Sequence, residues 1–338
     1  VNSLGRRKVS APRRGSLAYL PRGRAASWVG RIRYWPDVTG DPRPLAFPGF
    51  KAGMGHAVAL DQRQGSLTYG KEVVIPVTVL ETPPLIICGI RIYGKSNAGT
   101  RTLGEVWSTD TPKDLERLIT KTKKSDNSES VQKVEKLLDK ASEVRVIAAT
   151  QTRMTSTGRK KPHLIEIRIG GGNAKDQYEY SKKVLGKEIK SSDVFKEGNL
   201  VDVIAITKGK GIQGPVKRWG ISILHHKSRK TTRGVGSIGG WTPNFVMYSV
   251  PRAGQMGFFQ RTEFNKQVLK VGENGKEATP IGGFTNYGNV NGQYMILRGS
   301  VPGPTKRLVM MRSPARVRLP LEVAPKMEYL SLETKKAG

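Results

Sequence analysis

Apolar positions in this chain fall in short β-branched runs towards both ends and in helical spacing in the middle. HAVAL (56–60), VVIPVTVLE (73–81) and LIICGIRIY (85–93) are bounded by turn residues, with Pro83-Pro84 between the last two, and read as strands. Like runs return late as LVDVIAIT (200–207), QYMILRGSV (293–301) and KRLVMMR (306–312). Strands drawn from both ends of the chain favour a small closed barrel, with a two-sheet sandwich as the competing architecture. Residues 96–199 differ. Val131, Val134, Leu137, Leu138 and Ala141 share one helical face over 129–141, and Asp126 and Glu129 stand in capping-box register. Asp114 to Ile119 and Lys175 to Leu185 read as further helices, and Val144 to Ala149 and Leu164 to Ile169 as strands. The pattern predicts an α+β fold: a β-barrel body from 51–95, 200–222 and 262–320, with an α/β insertion at 96–199 whose mixed charges suit solvated faces.

The first fifty residues hold Pro12, Pro21, Pro36, Pro42, Pro44 and Pro48, which interrupt helix and sheet and predict an extended arm. Arg6, Arg7, Lys8, Arg13 and Arg14 would lie along a phosphate backbone. A disordered basic tail fits the same composition.

Charge sharpens this picture. The 338 residues carry a net +31, yet positions 1–36 and 203–262 contain no carboxylate at all. The first block has nine Lys/Arg. The second has ten: Lys208, Lys210, Lys217, Arg218, Lys227, Arg229, Lys230, Arg233, Arg252 and Arg261. More than half of the excess charge therefore sits in two blocks. A one-signed segment repels itself, so it gains little from compacting unless a polyanion supplies countercharge. The implied partner is phosphate.

Composition narrows the rest. The apolar fraction of 37% suits a folded body with extensions that bury no core of their own. Cys88 is the single cysteine, and the four histidines (His56, His163, His225, His226) show no zinc-type spacing, so neither a disulfide nor a metal site is expected. No apolar run reaches the ~18 residues of a membrane span and no signal segment opens the chain, which points to a soluble cytoplasmic protein with no membrane partner.

Gly209, Gly211 and Gly214 form G-x-G-x-x-G after a predicted strand, but Pro215 and Gly220 argue against a dinucleotide-binding helix and no acid follows until Glu263. The glycines serve better to bring backbone N–H groups, Lys208, Lys210, Lys217 and Arg218 close to RNA. Trp219 would then stack on a base, although an aromatic is more often core. Trp241, in SIGGWTPNF beside Gly239 and Gly240, has almost no apolar neighbours and suits exposed stacking at a loop tip. His225 and His226, if on a strand, face opposite sides and cannot share a metal. No carboxylate, histidine or cysteine constellation supports catalysis, so no enzyme, cofactor or small-molecule substrate is expected.

GFKAGMGH (49–56), TKGKGIQGPVKRWG (207–220), the stretch from GGW through QRTEFNK (239–266), GGFTNYG (282–288) and GSVPGPTKRLV (299–309) together resemble the L3 family of large-subunit ribosomal proteins in its archaeal and eukaryotic form. The resemblance implies a translation-factor-type β-barrel, the middle insertion, a basic N-terminal extension over 1–50, an internal finger over 223–261 and a C-terminal tail over 321–338. It implies rRNA contacts from the arm and finger, including His225, His226, Lys227, Arg229, Lys230, Arg233, Trp241, Arg252, Arg261 and Lys266. Gly239, Gly240 and Trp241 would lie near the peptidyl transferase centre. Large-subunit rRNA and neighbouring large-subunit proteins are the implied partners, with a structural role and help in early assembly. Where eukaryotic members commonly have a His in the finger this chain reads TTRG (231–234), and the loop before Trp241 is shorter.

Overall fold

A computed structural model describes residues 13–97, 99–119, 127–316 and 325–333. Arg6, Arg7, Lys8 and the capping-box residue Asp126 lie outside the described residues. The chain divides into two compact units, one from 28–205 with 261–338 and one from 1–27 with 206–260.

The larger unit is dominated by antiparallel strands. Ala46–Leu60 pairs with Glu72–Glu81, which pairs with Tyr294–Arg298, which pairs with Gln260–Gly272. Gln260–Gly272 neighbours Leu200–Ile206, which pairs with Leu308–Arg312. Leu308–Arg312 then pairs back onto Ala46–Leu60, so the six pairings return to their starting strand. The 15-residue strand manages this by changing partners along its length: Ala46 to Phe50 face Leu308–Arg312, and Phe50 to Leu60 face Glu72–Glu81, with a register shift between Lys51 and Gly53. A shift of this kind bends a strand and raises its twist, which a curling sheet needs. Burial is nearly continuous along the central strands, and Val77, Val79, Val203, Ala205, Val268, Met295, Leu297, Val309 and Met311 belong to one core cluster. Full burial of each large apolar side chain stabilises by about 1.5–3 kcal/mol.

Three differences from the sequence expectation follow from pairing. Pro44 and Pro48 are in strands, although the prolines of the first fifty residues were expected to exclude sheet. Pro48 is tolerated because it is opposite Met310 on one side, while pairing with Glu72–Glu81 begins only at Phe50. The run 85–93, assigned to the barrel body, belongs instead to a second sheet: Leu85–Ser96 pairs with Gly99–Trp107 and with Glu143–Thr150. A buried apolar run alone does not say which sheet a strand joins. In the tail, Met327–Leu330 adds to the outer end of Ala46–Leu60.

The second sheet continues through Leu164–Gly170 to the short strand Arg43–Pro44. Helix Asn127–Leu137 lays Val134 over it, against Ile90, Ile92, Val106 and Val144. Gly104 permits that approach, since a Cβ there would come within 3.0 Å of Val134. Helix Ala174–Val184 starts where the Asn173 N–H donates to Asp176 Oδ2 at 3.0 Å, and it buries Tyr178. The expected helix from Asp114 to Ile119 is a 3-10 turn, Lys113–Arg117.

Candidate nucleic-acid interface

The smaller unit unites the two acid-free blocks. Its described residues, 13–27 and 206–260, hold thirteen Lys/Arg and no carboxylate. Three of its arginines, Arg13, Arg22 and Arg218, donate to backbone carbonyls, which orient a guanidinium without carrying a negative charge. Arg218 Nε donates to the Gln255 carbonyl at 3.0 Å and Nη1 to the Arg252 carbonyl at 3.0 Å. Arg22 Nη1 donates to the Arg218 carbonyl at 3.1 Å, and Arg13 donates to the Ser249 carbonyl. Burial lowers the pKa of Arg218 from its ordinary value.

Trp219 is the packing centre of this unit. It is only 6% exposed, and its Nε1 donates to the Arg252 carbonyl at 2.8 Å. The Arg22 guanidinium lies 3.8 Å from its ring centroid, and a Cβ on Gly15 would come within 2.5 Å of the ring. Gly15 also has φ +70, so a side chain there is excluded twice. The expectation that Trp219 stacks on a base is thereby corrected: the arm covers its face.

The glycine-rich loop is corrected in the same sense. Ile212–Gln213 pairs with Gly254–Gln255, the Lys210 N–H donates to the Met256 carbonyl at 2.9 Å and the Met256 N–H donates to the Gly211 carbonyl at 2.8 Å. These groups close the base of the finger instead of meeting a phosphate. Gly257, at φ +71, crosses so near the Lys208 carbonyl that a Cβ would lie 2.0 Å from it. Gly214 precedes a helix of one turn and a half, Pro215–Trp219, with Pro215 at its first position and left-handed Gly220 ending it.

Beyond this base the chain presents itself to solvent. Lys208, Lys210, Lys217, Lys227, Arg229, Lys230, Arg233 and Arg252 are exposed, as are Arg13 and Arg14 on the arm. His225 and His226 lie at a turn and not on a strand, and their rings stand together with centroids 4.1 Å apart. Trp241 is 96% exposed and follows exposed Gly239 and Gly240. Sequence reasoning missed its companions: Ile238, Phe245, Met247 and Tyr248 are also exposed. Their signal was apolar residues in an acid-free stretch with Gly and Pro around them and no partner run. Arg261 and Lys266 belong to the larger unit, on Gln260–Gly272, and Lys266 is paired with Glu263 at 2.7 Å.

The two tryptophans make opposite predictions. Trp219→Ala should cost about 3–5 kcal/mol in the stability of the smaller unit. Trp241→Ala should leave thermal unfolding unchanged within about 0.5 kcal/mol, as for other surface substitutions. Calorimetry of the two variants checks both.

Cys88 is fully buried, and burial pushes its thiol up to about 11, so it stays protonated. Among the described residues no three His, Cys, Asp or Glu side chains are placed to hold a metal ion, and no helix is long and apolar enough to cross a membrane.

The family profile of Ribosomal protein L3 matches residues 4–334. The "Large ribosomal subunit protein uL3" of Methanocaldococcus jannaschii is 47% identical over 330 residues, covering 97% of this chain and 98% of the relative. That of Archaeoglobus fulgidus is 49% identical over 312 residues, covering 91% and 93%, and that of Pyrobaculum arsenaticum is 48% identical over 332 residues, covering 96% and 98%. The chain belongs to the ribosomal protein L3 family, a family of ribosomal proteins and not of enzymes.

Proposed function

We propose that this chain is a structural constituent of the large ribosomal subunit that binds large-subunit rRNA through its arm and finger. The observation that carries the reading is a compact unit whose described residues hold thirteen Lys/Arg and no carboxylate, assembled from segments far apart in sequence. Such a unit is stable against its own repulsion when phosphate surrounds it. The printed names of the relatives point the same way.

In this reading the ring of six strands is the translation-factor-type barrel, and it docks neighbouring large-subunit proteins. The finger carries Gly239, Gly240 and Trp241 towards the peptidyl transferase centre, where the flat ring of Trp241 meets a base. Early binding of the arm and finger neutralises rRNA phosphates and assists subunit assembly in the cytoplasm. Peptide-bond chemistry is left to RNA.

Sedimentation tests the proposal. The protein should remain on the large subunit through a high-salt wash, whereas a free RNA chaperone would come off. The isolated protein should bind neither ATP nor GTP, because the loop is engaged with the chain itself: the Lys210 N–H donates to the Met256 carbonyl and Ile212–Gln213 pairs with Gly254–Gln255. Equilibrium dialysis detecting nucleotide at micromolar concentrations would revive a nucleotide-dependent factor.

A further inference from the structure

Three motifs outside the acid-free unit converge on one hollow in the larger unit. The loop 299–307 is organised from beneath by Lys51, a buried lysine in GFKAGMGH. Its Nζ donates to the carbonyls of Val301 at 2.6 Å and Gly303 at 3.2 Å. Its backbone N–H donates to the Arg307 carbonyl at 3.0 Å, and its carbonyl accepts from the Lys306 N–H at 2.8 Å. Lys306 takes a left-handed φ of 65°, and the loop thereby presents Lys306 and Arg307 on the same rim.

The rest of the rim comes from Trp28, Arg159 and His163, with Pro304, Thr305 and Leu308 between, around a space of about 70 Å³. Trp28 is 56% exposed. The Arg307 guanidinium lies 4.8 Å from its ring centroid and that of Arg159 lies 5.8 Å away. Arg159 opens a run of exposed cations with Lys160 and Lys161. None of the residues lining the hollow is acidic. Arg307 is lowered below its ordinary value by burial and by the charge of Arg159, so these two cations repel one another. Protein folds do not gather like charges around an exposed indole for stability, since the repulsion costs free energy that an anion would return. An exposed aromatic ring flanked by guanidinium and ammonium groups is the arrangement that holds a nucleobase by stacking and its phosphate by charge.

We propose that Trp28, Arg159, Lys306 and Arg307 form a nucleotide clamp on the body of the protein, which takes a single unpaired RNA nucleotide with its base on Trp28 and its phosphate between the cations. It adds to the finger a contact on the larger unit, which joins Trp28 of the carboxylate-free N-terminal block to cations from two distant segments, and it rests on the reading of the chain as an RNA-binding protein. The deep location of Lys51 gives the clamp its rigidity: the VPGP loop is tied down before RNA arrives, so less ordering entropy is lost on binding.

Photocrosslinking with a single-stranded oligoribonucleotide of roughly eight residues containing 4-thiouridine, a length within the usual range of single-strand sites, tests the clamp on the full chain. The crosslinked peptides are identified by mass spectrometry. A crosslink is expected on the peptide containing Trp28. It should fall about tenfold in the Arg159→Gln, Lys306→Gln double variant, which removes two phosphate contacts, while crosslinks from finger peptides are unchanged. Crosslinks on other peptides of the chain without one on the Trp28 peptide would overturn the clamp alone. A Trp28 crosslink indifferent to both substitutions would do the same. Absence of crosslinks anywhere on the chain would instead remove the RNA-binding reading on which the clamp stands.

Discussion

Affinity for large-subunit rRNA is expected to fall by about three to five orders of magnitude between roughly 50 and 200 mM salt, the behaviour of a protein that neutralises six to ten phosphates. Lys208, Lys210, Lys217, Lys227, Arg229, Lys230 and Arg233 are the cations of the finger and its base best placed to do so, each exposed and far from any carboxylate in sequence. Every one that meets a phosphate releases a counterion and contributes about −0.9 to the slope of log K against log salt on a duplex. Replacing all seven by Gln should therefore flatten the slope by about six, with the greatest loss of affinity at low salt. The fold should survive, because the base of the finger is held by backbone pairing at 210–213 and 254–256 and by Trp219, none of which the substitutions touch. Filter binding across a salt series reads the slope directly. An unchanged slope in the seven-site variant would show that the finger does not run along phosphate.

The second large effect concerns stability. Asp202 is the last carboxylate before the acid-free block, and it is completely buried. It stands directly opposite Arg312 across the paired strands Leu200–Ile206 and Leu308–Arg312, with Oδ2 accepting from Arg312 Nη2 at 2.6 Å. Its oxygens also accept from the Ala315 N–H at 2.9 Å and the Asn265 N–H at 3.1 Å, and Arg312 donates in turn to the Tyr34 carbonyl. One carboxylate thus ties together segments near 34, 202, 265 and 313. Asp202→Ala leaves a buried guanidinium uncompensated and should cost about 3–5 kcal/mol. Urea denaturation should show this as a lower midpoint with an unchanged m-value. Asp202→Ala combined with Arg312→Met should recover much of the loss, since replacing both charges by apolar groups removes the desolvation penalty as well. A single-variant cost below about 1 kcal/mol would mean that water reaches Arg312, as it does for surface pairs.

Much of the candidate interface was legible in order along the chain because charge is a one-dimensional property. The absence of carboxylates from 1–36 and 203–262 singles out both blocks without any fold, and exposed Trp241 is legible from its lack of apolar neighbours. Strand positions were legible for the same kind of reason: short apolar runs rich in β-branched residues and bounded by turn residues are local patterns, and the runs at 73–81, 200–207, 293–301 and 306–312 overlap strands. What went wrong concerned partners. LIICGIRIY has the pattern of any buried strand, and only its hydrogen bonds to 99–107 and 143–150 place it in the second sheet. Trp219 looks in sequence like one more aromatic in a basic loop, and only Arg22 and Gly15, some two hundred positions away, turn it into a core residue.

The sequence by itself determined where positive charge accumulates without carboxylates and that strands from both ends build the body. Tertiary structure alone decided which cations act together. Arg13, Arg22 and Arg218 are brought into one unit by backbone carbonyls, and Trp28, Arg159 and Arg307 are gathered around one hollow although they stand more than a hundred positions apart in sequence. The physical reason is that composition and periodicity are sums over neighbours in the chain, whereas burial and electrostatic coupling depend on distances in space that only the closing of the fold sets.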